Sequence, residues 1–332
     1  MERDEILKWL SPDRDPADLY ALADRTRREA VGDAVHLRGL IEFSNYCSRR
    51  CYYCGIRAGN TKVRRYRLTP GQILECARTA QRLGYGTVVM QSGEDPHWGP
   101  RALADIVEEV KQETGLAITL SVGEHSKEDY KLLRAAGADR FLLRFETSDR
   151  RLFSMLKPDS DYDNRFRCLR WLKEAGFQVG SGVMAGLPGQ SAESMADDIL
   201  LFKELDLDMV GIGPFIANPD TPMAGAESGT LDLGLRMVAL TRILTVNAHI
   251  PATTAMGSID PQGRQKALRC GANVLMPNIS PTEHRPDYQL YPGKICTNEA
   301  PEQCAGCVDA MLKSLGRTRA AGFGHSLKSE AV

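Results

Sequence analysis

The chain has 332 residues, 42% hydrophobic and 26% charged, with a formal net charge of −1, enough for one large or two small globular units with a substantial core. Near-neutral charge with no polybasic block excludes nucleic acid as the main partner. No apolar run approaches the ~20 residues that a membrane helix needs, and the charged start MERDEILKWLSPDRD is unlike a secretory signal, so a cytoplasmic protein without a membrane partner is expected.

In chain order, residues 1–34 end in ALADRTRREAVGD and read as a helical lead-in. Short apolar or β-rich runs then recur at Val35–Phe43, Thr87–Gln91, Ala117–Val122, Arg140–Phe145, Gln178–Met184, Met209–Phe215, Ile250–Ala255 and Asn273–Met276. Helical patterns separate them: Ile73, Leu74, Ala77, Ala80 and Leu83 share a face, as do Phe166, Leu169, Leu172 and Ala175. Thr69-Pro70-Gly71-Gln72 has the form of a capping box with proline at the first helical position, and Ser126 to Asp129 offers a similar start. Eight strand–helix pairs predict a complete parallel (β/α)8 TIM-type barrel over residues 35–316, with the active site at the C-terminal strand ends. The lead-in is expected to cap the barrel bottom, and residues 317–332 form a tail.

Nine cysteines in such a chain indicate metal or redox chemistry more than disulfides. Cys47, Cys51 and Cys54, spaced C-x3-C-x2-C just past the first strand, offer three thiolates on one loop. That set suits a four-iron cubane with one iron open to a small molecule. Zinc with a distant fourth ligand and three unconnected thiols are the alternatives. The arrangement is similar to that of radical S-adenosylmethionine (SAM) enzymes, where SAM chelates the open iron and is cleaved to methionine and a 5′-deoxyadenosyl radical. Oxygen sensitivity, hence an anaerobic setting, follows from an exposed open iron.

The remaining strand ends supply polar groups. Ser92, Gly93 and Glu94 follow the second strand; Thr119, Ser121 and Glu124 belong to the third. Arg144 and Glu146 alternate on the fourth and so share a face, as an internal salt bridge or as site residues. Arg165 reads as a ligand-carboxylate partner or as a solvated helix-start arginine. A second group, Cys296, Cys304 and Cys307, can hold iron with a fourth ligand from elsewhere, or zinc. Cys76, Cys168 and Cys270 sit in helical contexts as small buried hydrophobes.

Taken together, IEFSNYCSRRCYYCGIR, QSGEDP, AGADRFLLRFET, DMVGIGPFIANPDTP, IPATTAMG, RCGANVLMPN and YQLYPGKIC resemble the HydE family, radical SAM maturases of iron-only (FeFe) hydrogenase. The resemblance spans nearly the whole chain. It implies a 4Fe–4S cluster on Cys47, Cys51 and Cys54, and SAM held by Tyr53, Ser92, Gly93, Glu94, Ser121, Glu146 and Arg165. Thr119, Arg144, Thr253, Thr254, Met276, Tyr288 and Tyr291 then surround the substrate. The implied substrate is an iron–carbonyl–cyanide complex bearing cysteine, in assembly of the hydrogenase diiron site. Partner maturases and an electron donor such as ferredoxin or flavodoxin are also implied, and some members carry a second cluster on the C-terminal cysteines. A related radical SAM enzyme acting on another sulfur-containing or amino-acid-like molecule, and an iron–sulfur carrier or scaffold, are the competing readings. One residue departs from the family pattern: Phe145 stands where histidine is frequent, and alternation points it away from the lumen.

Overall fold

The computed structural model describes residues 1–330, so the last two residues of the expected tail lie outside the described part. The chain runs α1 (Arg3–Leu10), α2 (Ala17–Val31), β1 (Ala34–Ser44), α3 (Pro70–Arg82), β2 (Thr87–Ser92), α4 (Pro100–Thr114), β3 (Ala117–Ser121), α5 (Lys127–Ala135), β4 (Arg140–Leu142), α6 (Arg150–Leu156) and α7 (Tyr162–Glu174). It continues through β5 (Gln178–Ala185), α8 (Ala192–Glu204), β6 (Met209–Pro214), α9 (Leu231–Thr245), α10 (Thr254–Ile259), α11 (Gly263–Arg269), β7 (Val274–Leu275), α12 (Pro301–Ser314) and β8 (Thr318–Arg319).

Both expected capping boxes form. Thr69 Oγ1 accepts from the Gln72 N–H while Gln72 Oε1 accepts from the Thr69 N–H, and Ser126 and Asp129 do the same, which satisfies donors that open a helix unpaired. The apolar stripe of α3, including Ile73, Leu74, Ala77 and Ala80, is buried against the sheet, and Cys76, Cys168 and Cys270 are buried with the core.

The strands are parallel in the order β6-β5-β4-β3-β2-β1-β7, with β8 beside the start of β1. The sheet curls into a TIM-like partial barrel, not the complete ring of eight strands expected, because among the described residues no ladder joins β7 to β6. Two expected strands differ from the prediction. The run Ile250–Ala255 is not a strand: it joins β6 to β7 through single bridges, Met209 to His249 and Pro251 to Val274. Pro251 has no N–H to give a ladder, and the chain enters α10 directly after Thr253. The fourth strand stops at Leu142 because Ser181 Oγ, rather than a carbonyl, takes the Phe145 N–H at 3.1 Å. The chain then turns through Glu146, a non-glycine residue with φ 67°, a left-handed conformation that is costly unless its surroundings hold it.

The barrel bottom is closed from an unexpected side. The lead-in helices α1 and α2 pack against α8 and α9, whereas the tail crosses the axis. The Phe323 carbonyl accepts from Thr87 Oγ1 and Arg140 Nη2, both at 2.7 Å, and the Gly324 carbonyl accepts from Arg38 Nη2 at 3.2 Å. The His325 carbonyl lies 3.0 Å from His249 Nε2.

Candidate functional site

Strand alternation turns every second residue inward, and the inward set lines a cavity of about 370 Å³ along the barrel axis. Arg38, Met209 and His249 form its floor. Leu40, Val89, Thr119, Leu142 and Val274 form the next level, and Glu42, Gln91, Ser121, Arg144, Gly211 and Thr253 stand above them. Met276, Thr254, Tyr288 and Tyr291 complete the wall, and at the mouth stand Cys47, Cys51, Cys54, Tyr53, Ser92, Gly93, Glu94, Glu146 and Arg165. One cavity therefore collects all the residues expected around cofactor and substrate except the second cysteine group. Thr119 Oγ1 and Thr253 Oγ1 face it buried and without a hydrogen-bond partner among the described residues, a cost of about 1–3 kcal/mol each that a polar ligand would relieve.

The cysteine loop is held from behind. Arg65 spans it, donating to the carbonyls of Asn45, Ile56, Arg57 and Asn60 at 2.5 to 3.1 Å. Gly55, directly after Cys54, approaches the segment after β7 so closely that a Cβ would lie 2.0 Å from the Gln289 carbonyl oxygen. Gly93 allows the same at the end of β2, where a Cβ would sit 2.2 Å from the Tyr46 oxygen and 2.6 Å from Cys47 Cβ. Burial raises the pKa of Cys47 and Cys54, with a smaller contribution from neighbouring thiols. Neighbouring thiols become thiolates together only when a cation offsets their charge, which fits an iron cluster. Lys157 Nζ, missed by sequence reasoning, lies 3.4 Å from Cys51 Sγ. Among the described residues no three His, Cys, Asp or Glu side chains close around a point that a single ion could occupy; a cubane sets its thiolates further apart than a tetrahedral zinc does.

A charge network adjoins the loop. Arg165 is 3% exposed; its guanidinium pairs with Glu124 at 2.8 Å and Glu94 at 3.8 Å, and donates to the Arg144 carbonyl. Burial lowers the pKa of this guanidinium, but Glu124 and Glu94 outweigh burial and raise it overall, so it stays charged. Arg49, also unanticipated, donates to Glu94 at 2.6 Å and to Glu124 at 3.4 Å. Arg144 Nε donates to both carboxylate oxygens of Glu146 at 3.0 and 3.2 Å, while Nη1 and Nη2 donate to the carbonyls of Gly211 and Val183. The salt-bridge reading of that pair is thus realised inside the cavity wall. Tyr53 Oη donates to Glu146 at 3.4 Å; burial first, and Glu146 second, push its pKa well up. Opposite, Lys294 Nζ and Asn278 Nδ2 donate to buried Glu42 at 2.5 and 2.7 Å. Arg165 had a usable signal: it lies four and seven residues before the core positions Leu169 and Leu172 and so shares their face.

The second cysteine group lies outside the cavity. Cys296 and Cys304 touch, and the hydrogen bond from Cys304 brings the Cys296 thiol down to about 6, with burial opposing. Cys307 is exposed one turn along α12 from buried Cys304. Phe145 is fully buried against Phe166 and Phe202, with ring centroids 5.5 and 5.6 Å away, and does not line the cavity. The departure from the family pattern is therefore absorbed in packing.

Residues 41–202 match the radical SAM superfamily. A solved methylornithine synthase structure superposes with a TM-score of 0.86 over 99% of this chain and 96% of that one, at 26% identity. Barrel, cysteine loop and match together define a radical SAM enzyme, a class that uses a 4Fe–4S cluster and SAM. Among curated proteins, the FeFe hydrogenase maturase subunit HydE of Thermotoga maritima is 54% identical over 299 residues, 90% of this chain and 86% of that protein. The 3-methylornithine synthase of Methanosarcina acetivorans is 29% identical over 80% of this chain and 75% of its own length. A HydG structure, at 18% identity and TM-score 0.78, shares the fold. The chain belongs to the HydE family of FeFe hydrogenase maturases. Among the described residues no helix is long and apolar enough to cross a membrane.

Proposed function

We propose that Cys47, Cys51 and Cys54 hold the 4Fe–4S cluster and that Tyr53, Ser92, Gly93, Glu94, Ser121, Glu146 and Arg165 hold SAM. When bound, cluster and SAM supply a 5′-deoxyadenosyl radical. Glu94 and Glu146, each fixed by arginine, accept from the SAM ammonium or ribose, and Arg165 presents a charged fork to a carboxylate. The apolar and aromatic wall keeps water from the reacting centre. The substrate occupies the axis among Thr119, Arg144, Thr253, Thr254, Met276, Tyr288 and Tyr291, and is an iron–carbonyl–cyanide complex bearing cysteine, processed with partner maturases toward the hydrogenase diiron site. A ferredoxin or flavodoxin supplies the electron. The enzyme works in the cytoplasm, where its cysteines stay reduced and none of the nine is paired in a disulfide. Cys296, Cys304 and Cys307 form an accessory iron–sulfur site with a fourth ligand from outside the group.

The observation that carries this reading is the single cavity joining the cysteine loop to the unpartnered Thr119 and Thr253 hydroxyls. An anaerobic maturation mixture containing apo-hydrogenase tests it. Omission of this protein is expected to abolish hydrogenase activity, and Thr119→Val/Thr253→Val to reduce it while SAM cleavage persists. Full maturation by the double variant would instead favour a different small molecule as substrate.

A further inference from the structure

Residues 45–74, which carry the three cysteines, contain seven basic side chains and no acidic one, leaving −8 on the rest of a chain whose total is −1. The cluster is local and was hidden by the neutral whole. Lys62, Arg64 and Arg67 pair with Asp220, Asp287 and Asp95 on neighbouring segments, and Arg49 belongs to the cavity network. Arg50, Arg57 and Arg65 have no carboxylate partner for their guanidinium groups among the described residues. Arg57 donates to the carbonyls of Cys51 at 3.0 Å and Arg50 at 3.2 Å, and Arg65 donates to that of Arg57 at 2.7 Å. The three are therefore contiguous, on the outer side of the loop, and one of them sits on the backbone of Cys51.

We infer that this outer face is the docking surface for a small acidic one-electron carrier protein. The inference rests on the radical SAM reading, because reductive cleavage takes one electron per SAM. The carrier is oxidised by one electron, and that electron breaks a C–S bond of SAM to give methionine and the radical. The cavity side of the loop is committed to cofactor and substrate, so the electron's short route is through the outer side. Unneutralised cations there repel one another in the free chain, and an acidic surface relieves that repulsion while steering encounter.

The test uses Arg50→Glu/Lys62→Glu, both exposed, and as control Arg25→Glu/Lys313→Glu, exposed on α2 and α12. Release of 5′-deoxyadenosine is measured with dithionite and with a reduced acidic flavodoxin, and flavodoxin binding is titrated directly. The loop variant should lose about tenfold or more of its flavodoxin-driven rate and affinity, yet keep its dithionite-driven rate; the control should keep all three. Parent binding should weaken as salt rises. Equal behaviour of parent and loop variant with flavodoxin, loss of the dithionite rate as well, or tighter binding of an RNA oligonucleotide than of flavodoxin would each overturn the inference. A parent that fails to cleave SAM with dithionite would sink the radical SAM reading itself, a distinct result.

Discussion

The two cysteine groups have the same number of thiols and opposite surroundings. Cys47, Cys51 and Cys54 face the barrel cavity on a loop spanned by Arg65 and fitted through Gly55 and Gly93. Cys296, Cys304 and Cys307 lie on a peripheral segment with one thiol exposed. Ligand count alone does not assign function; what the ligands face does. Chemistry follows the group whose open side meets a closed, polar-rimmed cavity.

The comparison can be broken most directly at its stronger half. Replacing Cys47, Cys51 and Cys54 by alanine should abolish 5′-deoxyadenosine release under dithionite, and cleavage at the parent rate would remove the assignment. Next in size, Arg165→Ala takes from the buried Glu124 carboxylate its nearest cation, leaving only Arg49 at 3.4 Å, and should cost about 3–5 kcal/mol of stability, read by urea unfolding. A second change, Glu124→Gln, should recover part of that loss; no loss at all would mean that the network is solvated. Arg144→Lys keeps charge but forfeits the planar donor set that reaches Glu146 and the carbonyls of Gly211 and Val183 at once, and should cost about 1–3 kcal/mol in maturation. Calorimetry should show SAM affinity retained within about twofold, whereas equal loss in both assays would move Arg144 to the cofactor. The smallest effect is expected at the weaker half: alanine at Cys296, Cys304 and Cys307 should lower iron content but leave SAM cleavage within about twofold. Abolished cleavage in a folded variant would erase the distinction between the two groups.

Where sequence reasoning succeeded, the signal was local. Six strands and both capping boxes follow from periodicity and end chemistry, and the pairs Thr119 with Ser121 and Arg144 with Glu146 were legible from strand alternation. Ile250–Ala255 misled because its β-branched residues suit a strand while Pro251 and the start of α10 at Thr254 prevent one. The bottom plug was illegible for another reason: it acts through the carbonyls of Phe323, Gly324 and His325, which any sequence possesses. Arg49 and Lys157 bear on the site through contacts 45 and 106 residues away, beyond any spacing rule. The basic excursion was readable as a count over thirty residues and was masked by averaging over the whole chain.

The placement of β8 and the plug also orders events in time. β1 is made early on the ribosome, but residues 318–319 that pair with it, and residues 323–325 that seal the floor beside Arg38, are made after all the rest of the barrel. Until they emerge, the lumen is open to water from below and the first strand lacks a neighbour. Such long-range closure is slow compared with local helix formation. Loading of iron and sulfide should therefore follow release of the nascent chain. A version truncated after residue 316, with every cysteine intact, should be isolated poor in iron for want of a floor.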